Sequence, residues 1–143
     1  MSTSLNTTRS AAPTRAAAPS LGSLAKAGLA ATVVATAATM IVAAVGHAAG
    51  ISLDMAGEPV PVAGFGTLTA LFSLIGLALA AGLARWAKTP QRTFVRTTIA
   101  LTVLSFVPDL LSDTAPATKA LLMSTHVVAA AIVIPAIARR LRK

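Results

Sequence analysis

The chain has 143 residues, 55% of them hydrophobic and only 11% charged, with a mean hydropathy of +0.79, a balance that excludes an ordinary water-soluble domain. Its net charge of +8 and pI near 11.8 would suit a nucleic-acid binder. The cations, however, cluster beside apolar runs without aromatic platforms, so no nucleic acid is expected as a partner.

The opening residues 1–22 are rich in Ser, Thr, Ala and Pro, with Arg9 and Arg15 interspersed. They carry no apolar periodicity and read as a disordered cytoplasmic tail. Residues 23–143 then form one transmembrane domain, with apolar stretches at about 27–49, 65–84, 97–111 and 120–138. About twenty apolar residues at 1.5 Å rise cross a hydrocarbon layer of roughly 30 Å. The expected fold is all-α: a four-helix transmembrane bundle with a short external loop or hairpin between its first two helices.

The first stretch is alanine-rich, and Ala27, Ala31, Ala35, Thr39, Ala43 and His47 recur at a four-residue step. Small residues in such a row let neighbouring helix backbones approach closely, so packing is its expected role. Gly46-His47-Ala48 resembles a leader cleavage site. The apolar run before it exceeds the usual 7–15 residues of a cleavable core, so a retained helix is expected. In the connection that follows, Ile51, Leu53 and Met55 alternate with Ser52 and Asp54, and Gly57-Glu58-Pro59 offers a turn towards a hairpin.

The second stretch carries Thr69, Ser73, Gly76 and Ala80 on one stripe and ends at Arg85-Trp86, an interfacial pair. Lys88-Thr89-Pro90-Gln91-Arg92 reads as a tight turn, with Pro90 blocking helix continuation. In the third stretch Thr98, Thr102, Ser105 and Asp109 form a polar stripe, and Pro108 is expected to kink or end the helix. Asp113 and Thr114 are placed to cap the fourth helix, with Pro116 in its first turn and Pro135 bending its final third.

Alternating the four stretches across a bilayer sorts the charges. Eleven of the twelve cations fall on one side, in three groups: Arg9, Arg15 and Lys26; Arg85, Lys88, Arg92 and Arg96; Arg139, Arg140, Arg142 and Lys143. Asp54, Glu58, Asp109 and Asp113 fall on the other, with Lys119 as its only cation. Lysine and arginine in short loops set orientation, so both termini should be cytoplasmic. The same cations attract anionic headgroups by about 1 kcal/mol each near the surface, and the bilayer is the first expected partner.

Few residues in the spans carry chemistry. His126 lies seven residues, about 10 Å of helical rise, beyond Lys119, inside the outer half of the membrane. An ionisable side chain there should face the bundle and find a partner. Asp109, Ser105 and His47 are the candidates at similar depth, making a candidate intramembrane polar cluster of His126, Asp109, Ser105 and His47. The simplest role is one interhelical hydrogen bond; a proton- or solute-responsive site, or a metal site on His47, His126 and Asp109, are alternatives. The histidines lack diagnostic ligand spacing, no cysteine is present, and neither cofactor nor resident metal is expected. Phosphate-cradling loops, nucleophile elbows and metalloprotease helices are missing too, so a non-enzymatic protein is expected.

The segment Pro108-Asp109-Leu110-Leu111, the run Leu121-Leu122-Met123-Ser124-Thr125-His126 with Val127-Val128-Ala129-Ala130, and the end Ile134-Pro135-Ala136-Ile137-Ala138-Arg139-Arg140 form a distinctive pattern. With Gly50-Ile51-Ser52-Leu53-Asp54, they resemble small four-span membrane proteins of high-GC bacteria, the domain of unknown function 6069, over about residues 26–141. The resemblance implies a compact four-helix inner (plasma) membrane protein with cytoplasmic ends. It supplies no activity, cofactor or site. The expected function is a packing, accessory or envelope-associated subunit, homo-oligomeric or partnered by another membrane protein. A small transporter or channel subunit using the outer-leaflet polar site is the alternative, and a metal-dependent membrane enzyme the second alternative.

Overall fold

A computed structural model describes residues 20–55 and 57–142. The tail reading for residues 1–19 lies outside these. Helix α1 spans Leu21–Ala48, so it starts six residues before the expected apolar stretch and takes in Leu21 and Gly22. Ser20 caps it: its Oγ accepts from the Ser23 N–H at 3.4 Å, and Ser23 Oγ donates to the Ser20 carbonyl at 2.9 Å. At the other end Gly50 takes φ +85°, its N–H bonds the His47 carbonyl and the Ile51 N–H bonds the Gly46 carbonyl, both at 3.0 Å. That pair of bonds closes the helix and needs a left-handed residue, which glycine supplies without a Cβ clash.

The connection after α1 folds as a minimal hairpin. Strand β1 (Asp54–Met55) pairs antiparallel with β2 (Glu58–Pro59), Asp54 opposite Pro59 and Met55 opposite Glu58. The turn therefore falls before Glu58, with Gly57 at φ +85°, and not on Gly57-Glu58-Pro59. Glu58 and Pro59 belong to the returning strand, where an edge position tolerates the missing proline N–H. Leu53 is buried beneath the hairpin, and Thr118 Oγ1 donates to the Ser52 carbonyl at 2.7 Å. The hairpin connection is thereby fastened to the start of the last helix.

Helix α2 spans Val62–Trp86 and α3 spans Pro90–Leu111. Pro90 does not sit in the turn as expected: it opens α3, where its fixed φ suits a first helical residue and no N–H is needed. Only Ala87, Lys88 and Thr89 separate the helices. Pro108 does not end α3, which runs on to Leu111 and closes with the Ser112 N–H on the Pro108 carbonyl at 2.9 Å. Helix α4, Pro116–Ala138, is capped by Ala115 without a side-chain bond, so Asp113 and Thr114 do not cap it. Thr114 Oγ1 instead meets Ser112 Oγ at 3.0 Å. Pro116 occupies the first turn as expected, and a 3-10 turn, Arg139–Leu141, follows.

Helix α1 is the hub, packed mainly on α2 and α4, while α3 lies against α4 and less closely against α2. Its buried line runs Leu24, Gly28, Ala31, Ala35, Thr39, Ala43, Gly46. A Cβ on Gly46 would lie 2.7 Å from both Leu121 methyls, and one on Gly28 would collide with Leu77. These are backbone-to-side-chain contacts that only small residues permit. Thr39 Oγ1 meets Thr69 Oγ1 at 3.0 Å, a polar tie between α1 and α2.

Two buried clusters mark the ends of the bundle. Leu24, Phe94, Ile137 and Leu141 gather at one, Ala43, Leu53, Phe65, Leu121 and Leu122 at the other. The chain therefore rises and falls through the bundle, and the described cations other than Lys119 lie towards the first end. Outward, the helices present large apolar side chains such as Val33, Ile41, Phe72, Ile75, Val103 and Leu111. Such a surface is stable in hydrocarbon and a liability in water. Among the described residues four helices are long and apolar enough to cross a membrane, as expected, and the architecture is that of a multi-pass membrane protein.

Candidate functional site

Asp109 sits in the last turn of α3, next to the proline expected to kink or end it, and is only 3% exposed. Because α3 continues past Pro108, the carboxylate is held on the face turned to α4 and not released into the loop. There Asp109 Oδ2 lies 3.3 Å from His126 Nε2. The contact has ion-pair distance without hydrogen-bond geometry, and Oδ2 is a buried oxygen with no hydrogen bond among the described residues. The two partners are unequally placed: the Asp109 side chain is 4% exposed, the His126 side chain 40%. A buried carboxylate needs a countercharge, and a half-exposed imidazole beside it is the group placed to supply one.

Phe106, one turn before Asp109, contacts the imidazole edge-on, with ring centroids 6.2 Å apart and planes at 61°. It fixes one side of the His126 ring. Its i,i+3 spacing from Asp109 was visible in the sequence, but nothing there linked it to a histidine on another helix. Lys119, the cation of this end, is committed elsewhere: its Nζ donates to the Leu110 carbonyl at 2.9 Å. A cation at the carboxyl end of α3 also complements the helix dipole.

The four expected cluster members are not all brought together. Ser105 lies on the same helix one turn from Asp109, but its Oγ donates to the Thr102 carbonyl at 2.6 Å. Thr98 and Thr102 likewise bond carbonyls of their own helix, at 2.8 and 2.9 Å. Hydroxyls on a helix satisfy themselves locally at low cost, so the polar stripe of α3 does not point to the pair. His47 is exposed, and no hydrogen bond or ion pair joins it to the other three. The cause is the phase of the helix. A four-residue step overshoots a turn by about 40°, so five steps from Ala27 carry His47 roughly 200° around α1. Gly46, not His47, continues the buried line.

His47, His126 and Asp109 therefore do not assemble as a metal site. Among the described residues no group of three or more His, Asp or Glu side chains is close enough to hold an ion. The arrangement offers one buried acid, one accessible imidazole and an aromatic wall.

No curated protein and no solved structure matches the chain. The model of a family of unknown function (DUF6069) matches residues 19–143, covering the four helices, the docked hairpin and the Asp109–His126 pair. By that match across all of the described residues, the protein belongs to this family of unknown function.

Proposed function

We propose that the chain is a non-enzymatic protein of the bacterial plasma membrane, with both termini in the cytoplasm, acting as a packing, accessory or envelope-associated subunit. The observation that carries this reading is how the interior is filled. Alanine, glycine and threonine line α1 from Ala31 to Gly46, and among the described residues only two ionisable side chains meet within the spans. A bundle built for close backbone approach serves assembly better than it serves turnover. The charge partition supports the orientation, since the basic end holds the short Ala87–Thr89 connection that topology rules weight most.

Gentle solubilisation followed by light scattering and cross-linking tests the assembly. A homo-oligomer or a stoichiometric membrane-protein partner is expected; a monodisperse monomer without companion would overturn it. Reporter fusions after Arg92 and after Asp113 test the threading, with the first active inside the cell and the second outside. The reverse pattern removes the orientation.

A second reading is a small transporter or channel subunit. It is favoured by Asp109 Oδ2, buried within a span without a hydrogen bond among the described residues and facing an accessible imidazole at 3.3 Å. Flux in proteoliposomes should then be lost in both Asp109→Asn and His126→Ala, and flux surviving in both variants discards this reading.

A further inference from the structure

We propose that the groove between the start of α1 and the end of α4 binds the phosphate of an anionic phospholipid headgroup. The groove encloses about 300 Å³ and is lined by Ala27, Ala136, Arg139 and Arg140. It lies at the end of the bundle where Leu24 of α1 and Leu141 of the closing turn share a buried cluster. Ala27 and Ala136 are small, and this keeps the groove open beside Arg139 and Arg140.

The arginines are available. Both are exposed, and among the described residues neither makes an ion pair; the single such contact is His126 with Asp109. No aspartate or glutamate lies near them, because Asp54, Glu58, Asp109 and Asp113 all belong to the hairpin and the opposite end. Their charge is therefore open to an anion from outside the described chain. Lys26, exposed and next to Ala27 in the sequence, is a third cation at the same end.

Depth selects the anion. Arg139 and Arg140 form the closing turn of the last candidate span, Pro116–Leu141, where long cationic side chains are expected to reach the headgroup level. Guanidinium groups match phosphate oxygens two at a time, and basic pockets between transmembrane helices are where anionic headgroups are held. A lipid also brings acyl chains that can lie along the exposed apolar side of α1 that Ala27 shares, where Val34 and Ile41 follow at seven-residue steps. A free phosphate has no such anchor.

The inference rests on the chain being an integral membrane protein and is independent of its orientation. The test uses the purified full chain in neutral detergent micelles doped with phosphatidylglycerol, with phosphatidylcholine, or with inorganic phosphate in the buffer. The readout is the amount of each probe giving half-maximal thermal stabilisation. Phosphatidylglycerol should stabilise, and the other two should not. At about one basic side chain's worth of headgroup attraction each, the R139Q/R140Q double variant should need roughly thirtyfold more phosphatidylglycerol. Ala136→Leu, which keeps both charges and fills the groove, should weaken the response as well, while R92Q/R96Q at the same end, which lose general surface attraction only, should shift it clearly less than R139Q/R140Q. An equal loss in R92Q/R96Q, an unchanged response in R139Q/R140Q, or equal stabilisation by inorganic phosphate would each overturn the groove. Protein that stayed dispersed without detergent would instead overturn the membrane reading beneath it.

Discussion

The tightest contact between α1 and α4 gives the sharpest test of how this bundle is held. Replacing Gly46 by alanine would set a methyl 2.7 Å from both Cδ atoms of Leu121 and 3.3 Å from its Cγ. Carbon atoms rest at about 3.5–4.0 Å, so the overlap approaches 1 Å on two atoms at once. Leu121 cannot swing away freely, being 8% exposed and packed with Ala43, Leu53, Phe65 and Leu122. Overpacking of this kind costs about 1–3 kcal/mol. Leu121→Ala alone would cost about 2–5 kcal/mol in a water-soluble core. Here the separated helices remain in lipid, so the transfer part largely vanishes and a loss near 2 kcal/mol is expected. In the double variant the new methyl enters the space vacated by leucine, and the total should fall short of the sum by about 1–2 kcal/mol. SDS unfolding in mixed micelles, followed by circular dichroism, measures all four proteins. A neutral Gly46→Ala, or losses that add within about 0.5 kcal/mol, would refute close packing at this site.

The Asp109–His126 contact should also couple. A cycle of Asp109→Asn, His126→Ala and the double variant is expected to show about 0.6–1.7 kcal/mol of interaction, the range for interhelical polar contacts in membranes; strictly additive losses would mean the two side chains do not act on each other. Thr118→Val removes the hydroxyl that holds the Ser52 carbonyl and should cost about 1 kcal/mol. It should also speed amide hydrogen exchange across residues 51–60, and unchanged exchange there would show that the hairpin is held by Leu53 alone. Thr69→Val breaks the Thr39–Thr69 tie and should lower stability by about 0.6 kcal/mol, with Thr39→Val adding little more on top; full additivity of the two would dissolve the pair.

Helix number and the sorting of charge could be read directly, because both are properties along the chain. Twenty apolar residues make a span whatever they later touch, and the sites of Arg85, Arg139 or Asp54 at span ends need no partner to be meaningful. Boundaries were less legible. Pro90 has two local meanings, breaker or first residue, and the neighbouring chain favours the second. Asp113 and Thr114 fit a capping pattern, yet the short link leaves the cap to Ala115, and the Thr114 hydroxyl pairs with Ser112.

The candidate site divides along the same line. The depth of His126 and Asp109 follows from counting residues at a fixed rise, and that placed them at one level. Their angular position around each helix does not follow from a four-residue spacing, since about 40° of drift at each step rotates an extended row off its face. His47 was lost from the cluster for that reason, and Ser105 because its hydroxyl found a carbonyl of its own helix. The amino-acid sequence alone thus determined how many times the chain crosses and which ends share a side, through hydrophobic length and charge. Tertiary structure alone decided which faces meet, that Asp109 is buried against His126 and Phe106, and that the hairpin docks on Thr118, because those outcomes depend on helix rotation and on competition among partners that no single segment contains.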